Sequence, residues 1–378
     1  MDVLLLSVST GDGHFKAAEA LRENIEMTCP GSRTLIVDTF KYVNPIVDKL
    51  IVGSYLNLLK KTPQIYGKLY EISEKDDFIV DFSKAVNKLL SFRLENLIHE
   101  FKPSVIVCTH PFPLQMVSSL KRYRKIFTPA VAVITDYFAH PLWLHNNIDA
   151  YVVAHEYMKY EMVERGMDEH RIHTFGMPVS MRFSQKMNKQ TILNELGLDQ
   201  KLTLLIMGGS LGFGEIKDIF MKMLDCKKDL QLIVVTGRNT KLKGELELHA
   251  VSSSKKVRVF SYTNEIADLM DVSDFIITKP GGMTISEALV KELPLLLISP
   301  IPGQEERNAH FLINNGAAVR LLESDKAENI LNQIINNPLR IKHMREMARF
   351  LSRPHASQNT VYLLERLAAA GSRSTISL

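Results

Sequence analysis

Cysteine is scarce in this chain: Cys29, Cys108 and Cys226 are its only three, far apart in 378 residues and without a C-x-x-C pair. That spacing excludes a disulfide framework and a cysteine-held zinc site. Long apolar runs are also missing. None approaches the roughly 18–20 residues of a membrane span, so the expectation is a cytosolic chain whose membrane contact, if any, is peripheral. The opening run Val3–Val8 breaks at Gly11, Asp12 and Gly13, too short for a signal peptide. Neither sign of charge dominates: 46 Lys plus Arg against 42 Asp plus Glu leave +4, too mild to argue for nucleic acid. The chain has no Asp-x-Asp dyad and no His-x-x-x-His, so no protein-held metal or cofactor is expected. No Gly-Lys-Ser/Thr follows its glycine loops, which argues against a P-loop ATPase.

What remains is ordinary globular composition, 46% hydrophobic and 23% charged, long enough for two domains. Short apolar runs at Val3–Val8, Thr34–Val37, Val105–Cys108, Ala130–Ile134 and Ala150–Val153 alternate with helix-like segments. A second series follows the polar stretch Gln185–Gln190: Leu202–Met207, Leu230–Thr236, Val257–Phe260, Phe275–Thr278 and Leu295–Ser299. Strand, turn and helix in repetition predict an α/β protein with two doubly wound domains joined near residues 176–190. Ligands of such sheets bind beyond the carboxyl ends of the strands, so the loops there are where chemistry is expected.

Six loops stand out. Thr10-Gly11-Asp12-Gly13-His14 joins the first strand to a helix and lacks the third glycine of a dinucleotide fingerprint; it reads either as an anion-binding turn with a projecting His14 or as a capping loop. Gly208-Gly209-Ser210, with Gly212 and Gly214, suits convergence of backbone N–H groups on phosphate oxygens. Lys279-Pro280-Gly281-Gly282-Met283-Thr284-Ile285-Ser286-Glu287 repeats the device, and its Thr284-x-x-Glu287 fits equally a helix capping box or a carboxylate that holds a ribose diol. Pro302-Gly303-Gln304-Glu305 with Asn308 clusters groups suited to a polyol. Thr135-Asp136-Tyr137, with His140 and the single tryptophan Trp143, and Thr109-His110-Pro111 place acid–base groups after two further strands.

Residues 41–70 hold five lysines against one acid, Asp48, with an apolar helical stripe and the tyrosines 42, 55, 66 and 70. This suits either a surface that docks on anionic lipid or a packed helix with a solvated basic face. Lys121-Arg122-Tyr123-Arg124-Lys125 is a second basic cluster.

In order along nearly the whole chain, these loops, together with Phe260-Ser261-Tyr262-Thr263-Asn264-Glu265, resemble the glycosyltransferase group of plant monogalactosyldiacylglycerol synthases and bacterial processive diacylglycerol glucosyltransferases. The enzyme that adds N-acetylglucosamine to lipid I is a more distant relative. The resemblance implies a glycosyltransferase-B fold, two Rossmann-like domains facing across a cleft. Residues 1–182 would form the acceptor and membrane-docking domain, with about 355–378 packing back on it, and 183–354 the UDP-sugar domain. It further implies an inverting transfer of a hexose, glucose before galactose, from a UDP-sugar to diacylglycerol at an anionic membrane surface. The UDP-sugar is a substrate, and no cofactor is needed.

Residue by residue, Gly209 and Ser210 would meet the diphosphate and Glu287 the ribose, with Gly282, Met283 and Thr284 beside them. Gln304 and Glu305 would meet the hexose, while Arg238, Asn239, Phe260, Tyr262 and Thr263 would border the uracil. Arg182 resembles a phosphate-contacting arginine of the peptidoglycan relative. His14 is favoured as the base, with Asp136 positioning. Gly13, His110, His140, Trp143, Tyr55, Lys60 and Lys61 are the expected acceptor and membrane residues. The Gly-Gly-Ser of the donor loop matches the lipid I enzyme, whereas some diacylglycerol enzymes have Gly-Gly-Gly. A UDP-N-acetylglucosamine 2-epimerase and a non-catalytic UDP-sugar sensor are the competing readings.

Overall fold

The computed structural model describes residues 1–9, 12–43, 91–209, 212, 215–298, 300–321 and 327–374. The chain divides into two compact units, Met1–Met181 with Arg353–Leu378, and Arg182–Ser352.

The first unit is built on six parallel strands: β1 (Asp2–Ser7), β2 (Arg33–Asp38), β3 (Val105–Cys108), β4 (Ala130–Val133), β5 (Ala150–Val152) and β6 (Ile172–His173), in the order β2-β1-β3-β4-β5-β6. The central strands read as short apolar runs because helices cover both faces of such a sheet. On one face, Ala18, Leu21 and Ile25 of helix α1 (Asp12–Thr28) pack on Val3, Leu5, Val105, Val107, Val131 and Val133. Burying a side chain the size of Leu21 is worth about 1.5–3 kcal/mol. Val361 and Leu364 of the last helix (Ala356–Ser374) complete the same cluster. That helix is tied down at its start, where Ser357 Oγ donates to the Val179 carbonyl at 2.8 Å and Arg353 pairs with Glu156 at 2.9 Å.

The second unit has β7 (Thr203–Met207), β8 (Gln231–Val235), β9 (Val257–Phe260), β10 (Phe275–Thr278), β11 (Leu295–Leu297) and β12 (Ala318–Arg320). They too are all parallel, in the order β12-β11-β10-β7-β8-β9. Read from the other edge, this is the strand order of a dinucleotide-binding sheet. Helix α2 (Ile216–Asp225) lays Ile216, Ile219, Phe220 and Met223 on Leu204, Ile206, Leu232 and Val234.

Strand order reverses between β1 and β3 in the first sheet and between β7 and β10 in the second. The loops leaving the carboxyl ends at such switch points diverge to opposite faces and open a crevice for ligand. His14 and Thr109 flank the first reversal; the 208–214 and 279–282 loops flank the second. No helix among the described residues is long and apolar enough to cross a membrane.

Candidate active site

In the first unit, the chemistry gathers around His14, in the first turn of α1. Its Nδ1 lies 2.8 Å from the Thr109 carbonyl oxygen beyond β3 and 2.8 Å from Thr135 Oγ1 beyond β4. Surrounding protein strips water from the ring and pushes its pKa down to about 4, against a smaller upward pull from the bond to Thr109. The His110 ring meets it edge-on, with centroids 4.5 Å apart. Burial, reinforced by the neighbouring His14, holds His110 well below the usual histidine range as well. Asp136, partly buried, follows Thr135 directly, and Gly13 precedes His14 within the helix. Below this turn, the hydroxyls of Ser7 and Thr109 and Oδ1 of Asp38 are buried without a hydrogen-bond partner among the described residues. Ser7 pairs in register with Asp38, so these groups line one rim of the sheet. Next to them Ser9 Oγ donates to Asp38 Oδ2 at 2.6 Å, and Lys41 pairs with the same oxygen at 2.9 Å. Sequence reasoning gave Ser9, Asp38 and Thr135 no role; they join the site only through the sheet register.

The other strand-end histidines have different work. His110 caps the helix Pro111–Arg122, its Nδ1 accepting the Phe112 N–H at 3.2 Å. His140 caps the short turn Pro141–Trp143 in the same way through Leu142 N–H at 3.2 Å. Trp143, expected on the acceptor and membrane face, is only 3% exposed. Its ring belongs to the core and offers no face to a lipid in this structure. The second basic cluster also reads differently in the fold: Lys121 is largely buried, its Nζ donating to Thr128 O at 3.0 Å and Asp149 Oδ2 at 2.7 Å. The cluster precedes β4 and so lies at the amino ends of the strands, away from His14. Tyr55, Lys60 and Lys61 lie outside the described residues, as do Gly11 and Ser210.

In the second unit, the glycine loop after β7 packs on the loop after β8. Gly209 and Gly212 adopt φ of +70° and +62°, the left-handed region that glycine enters without strain. A Cβ on Gly212 would collide with the Thr236 carbonyl, whereas one on Gly209 would meet nothing within 4 Å. Asn239 holds the packing, its Nδ2 reaching Gly212 O at 3.4 Å while its Oδ1 caps the helix Thr240–Val251 at Leu242 N–H. The Arg238 guanidinium sits 5.3 Å from the centre of the Tyr262 ring, a cation–π contact at the ends of β8 and β9. Thr236 bonds the Phe260 carbonyl through its N–H and its hydroxyl, and Thr263 Oγ1 accepts from Glu265 N–H. The residues expected to border a base therefore form one ridge beside the glycine loop.

Helix N-termini complete the picture. The helix Gly282–Val290 begins at an N-cap Gly281 with no side-chain cap. Thr284 is thus its third residue and cannot be the N-cap, which removes the capping-box reading of Thr284 and Glu287; Glu287 stands one turn further on, partly buried. The helix Gln304–Asn314 starts at Gly303, again without a side-chain cap, and α2 starts at Glu215 in the same state. The strands before these helices, β11, β10 and β7, are sheet neighbours. At these three helix starts, which follow adjacent strands, the N-cap residue's side chain makes no cap hydrogen bond, and the helix dipoles there favour an anion.

Glu305 in the first turn of its helix is buried, accepts the Ile301 N–H at 2.7 Å, and has its pKa raised by burial against the pull of Lys279. Asn308 is fully buried, its Nδ2 donating to the Pro280 carbonyl at 3.0 Å, so the two glycine loops are tied together. Arg182 pairs with Asp268 at 2.9 Å and donates to the Asn264 carbonyl at 3.0 Å. Any phosphate contact by Arg182 has to share the guanidinium with them. Met283 is buried in the same first turn as Gly282. No group of three or more His, Cys, Asp or Glu among the described residues could hold a metal ion.

Comparison with known proteins agrees with this architecture. The monogalactosyldiacylglycerol synthase family model matches residues 14–179, and the glycosyltransferase family 28 C-terminal domain matches 203–359. A processive diacylglycerol beta-glucosyltransferase of Bacillus licheniformis is 32% identical over 96% of this chain and 93% of its own. The protein of the same name from Bacillus cytotoxicus is 31% identical over 95% and 92%. Among solved structures, the kitacinnamycin glycotransferase superposes with a TM-score of 0.65 at 14% identity, covering 97% of this chain and 98% of that one. MurG of Acinetobacter baumannii gives 0.61 at 16%, covering 97% and 99%. A Neisseria meningitidis UDP-GlcNAc 2-epimerase bound to UDP-GlcNAc gives 0.57 at 14%, covering 97% and 100%. The fold is therefore the two-domain glycosyltransferase-B fold, and the chain belongs to the family of the monogalactosyldiacylglycerol synthases and processive diacylglycerol beta-glucosyltransferases.

Proposed function

We propose that this protein transfers glucose from UDP-glucose to diacylglycerol at a membrane surface with inversion, giving β-glucosyl diacylglycerol, and that it extends this product with further glucose. The second unit binds the nucleotide sugar; the first receives the acceptor and supplies the base. The observation that supports the donor assignment is the set of three uncapped helix N-termini at the neighbouring ends of β7, β10 and β11. Fixed N–H dipoles at neighbouring strand ends suit the charge that develops on departing UDP. Gly209 and Ser210 approach the diphosphate, Glu287 the ribose, Gln304 and Glu305 the hexose, and Arg238, Asn239, Phe260, Tyr262 and Thr263 the uracil. The names of the relatives support glucose and diacylglycerol.

His14 acts as the base. The Thr109 carbonyl can only accept, so Nδ1 carries the hydrogen and Nε2 keeps its lone pair. Burial keeps the ring neutral at pH 7, which leaves the Nε2 lone pair open. The acceptor hydroxyl gives its proton to Nε2, its oxygen bonds to C1 of the hexose, and the C1–O bond to UDP breaks with the electron pair leaving on the diphosphate. Asp136 positions the acceptor. The lysine-rich segment 41–70, with Tyr55, Lys60 and Lys61, draws the protein to anionic lipid on the cytoplasmic face.

The test is lipid-product analysis with diacylglycerol in anionic liposomes and labelled UDP-glucose or UDP-galactose. A glucolipid from UDP-glucose supports the reading, and a galactolipid alone moves the donor to UDP-galactose. No lipid product from either overturns it. The second reading, an epimerase, is kept open by the shared fold of the Neisseria enzyme, and conversion of UDP-GlcNAc without lipid would select it.

A further inference from the structure

One nitrogen of His14 faces two oxygens on neighbouring strand ends. Thr109 follows β3 and Thr135 lies just past β4, and these strands pair in parallel. Both oxygens stand 2.8 Å from Nδ1. Thr135 is 4% exposed and Thr109 is fully buried, so water has little access to either oxygen. Histidine bases in acid–base triads are oriented by a carboxylate at this nitrogen. Here the partners at Nδ1 are a carbonyl and a hydroxyl, both uncharged.

We infer that Thr135 is a positioning residue for proton transfer: its hydroxyl, with the Thr109 carbonyl, holds His14 in the Nδ1–H tautomer and strengthens its grip as Nε2 takes the proton of the acceptor hydroxyl. The inference rests on the reading of His14 as the base. A neutral oxygen pair leaves the ring uncharged before the step and supports the imidazolium once it forms, because hydrogen bonds from a charged donor are about twice as strong as neutral ones. The proton balance is that of the transfer itself: one proton moves from the acceptor oxygen to Nε2, and the proton on Nδ1 stays where it was.

The experiment uses the full chain with UDP-glucose and diacylglycerol liposomes. Thr135→Val preserves the shape and removes the hydroxyl. It is expected to lower kcat by about 10- to 100-fold, the range for losing a hydrogen bond to a charged group, with KM for UDP-glucose unchanged and the melting temperature near wild type. Thr135→Ser, which returns the hydroxyl, should restore most of the lost turnover. Nitrogen-15 NMR of histidine-labelled protein, with His14→Gln assigning the resonance, reads the tautomer without any turnover: hydrogen on Nδ1 is expected. Wild-type kcat in Thr135→Val beside an inactive His14→Gln overturns the inference and leaves His14 as the base. Hydrogen on Nε2 overturns the inference directly. Full activity in His14→Gln overturns the base assignment and the inference with it.

Discussion

Gly209 and Gly212 share a positive φ but not their surroundings, and alanine at each should fail in a different way. At Gly212, φ of +62° already costs an L-residue about 1–2 kcal/mol. The added methyl would also strike the Thr236 carbonyl and come within 2.8 Å of Asn239 Cβ. Overpacking of this kind costs about 1–3 kcal/mol, so the total is about 2–5 kcal/mol. In a unit of this size, each kcal/mol moves the melting temperature by about 2–4 °C. Gly212→Ala should therefore melt about 4–20 °C lower by calorimetry, with the second unit affected first. Gly209→Ala meets only the backbone penalty, since no described residue lies within 4 Å of its methyl; its melting temperature should fall by about 2–8 °C. Its methyl instead stands where a diphosphate is proposed to approach, so its KM for UDP-glucose should rise at least tenfold. Equal melting temperatures for the two variants would refute the packing argument. An unchanged KM in Gly209→Ala would refute the placement of the diphosphate.

Three further outcomes are expected. Because His14 titrates near 4 when folded against 6.5 as a free side chain, the unfolded chain binds the extra proton as pH falls through that window. Stability should then drop by about 2 kcal/mol between pH 7 and pH 5 from His14 alone, with His110 adding in the same direction. Urea denaturation at the two values measures it, and a slope unaltered by His14→Gln rejects the assignment. Glu287→Ala should raise the KM for UDP-glucose while leaving the melting temperature within about 2 °C, because the residue is not the partner in a capping box; an unchanged KM removes it from the ribose. Replacing Lys60 and Lys61 by Glu should weaken sedimentation with anionic vesicles, most strongly at low salt, and unaltered binding would place the docking face elsewhere.

Much of the fold is legible in the sequence for one physical reason. Parallel strands covered on both faces must be largely apolar, so β1, β3, β4, β7, β8 and β10 announce themselves as short apolar runs. The two strands the periodicity does not reveal, β6 (Ile172–His173) and β12 (Ala318–Arg320), sit at sheet edges and are two and three residues long. Their pairing comes from neighbours rather than from their own pattern. Local motifs mislead when an element starts a few residues away from the expected place: with Gly281 as N-cap, three residues before Thr284, Thr284 falls inside the helix and the capping box dissolves. Trp143 misleads differently, because a tryptophan beside polar strand-end residues reads as interfacial until tertiary packing closes over it. The role of Thr135 is invisible in sequence, since 121 residues separate it from His14 and only the order β1-β3-β4 brings them within 2.8 Å.

That same order sorts histidines that look alike in the sequence. His110, His140 and His155 each end a strand or loop and open a helix or turn, and each accepts the N–H two residues on through Nδ1 at 3.2 Å. A neutral ring that accepts at Nδ1 has its hydrogen on Nε2, so what it turns outward is a donor. Such a ring can orient an acceptor oxygen but has no lone pair left to take a proton from it. His14 differs because it lies inside its helix rather than at the cap, where no amide is aimed at its Nδ1 and the Thr109 carbonyl is. The opposite tautomer follows, and with it a lone pair on Nε2. Capping geometry, more than the identity of the side chain, thus separates the proposed base from the three capping histidines. Moving the cap should move the chemistry: in His110→Asn the amide of Phe112 keeps an acceptor, so helix stability should change by less than about 1 kcal/mol. Turnover in that variant should remain, whereas His14→Asn, which has no Nε2 to receive the proton, should be inactive while melting within a few degrees of wild type. Activity lost in both alike would mean that His110 does more than cap its helix.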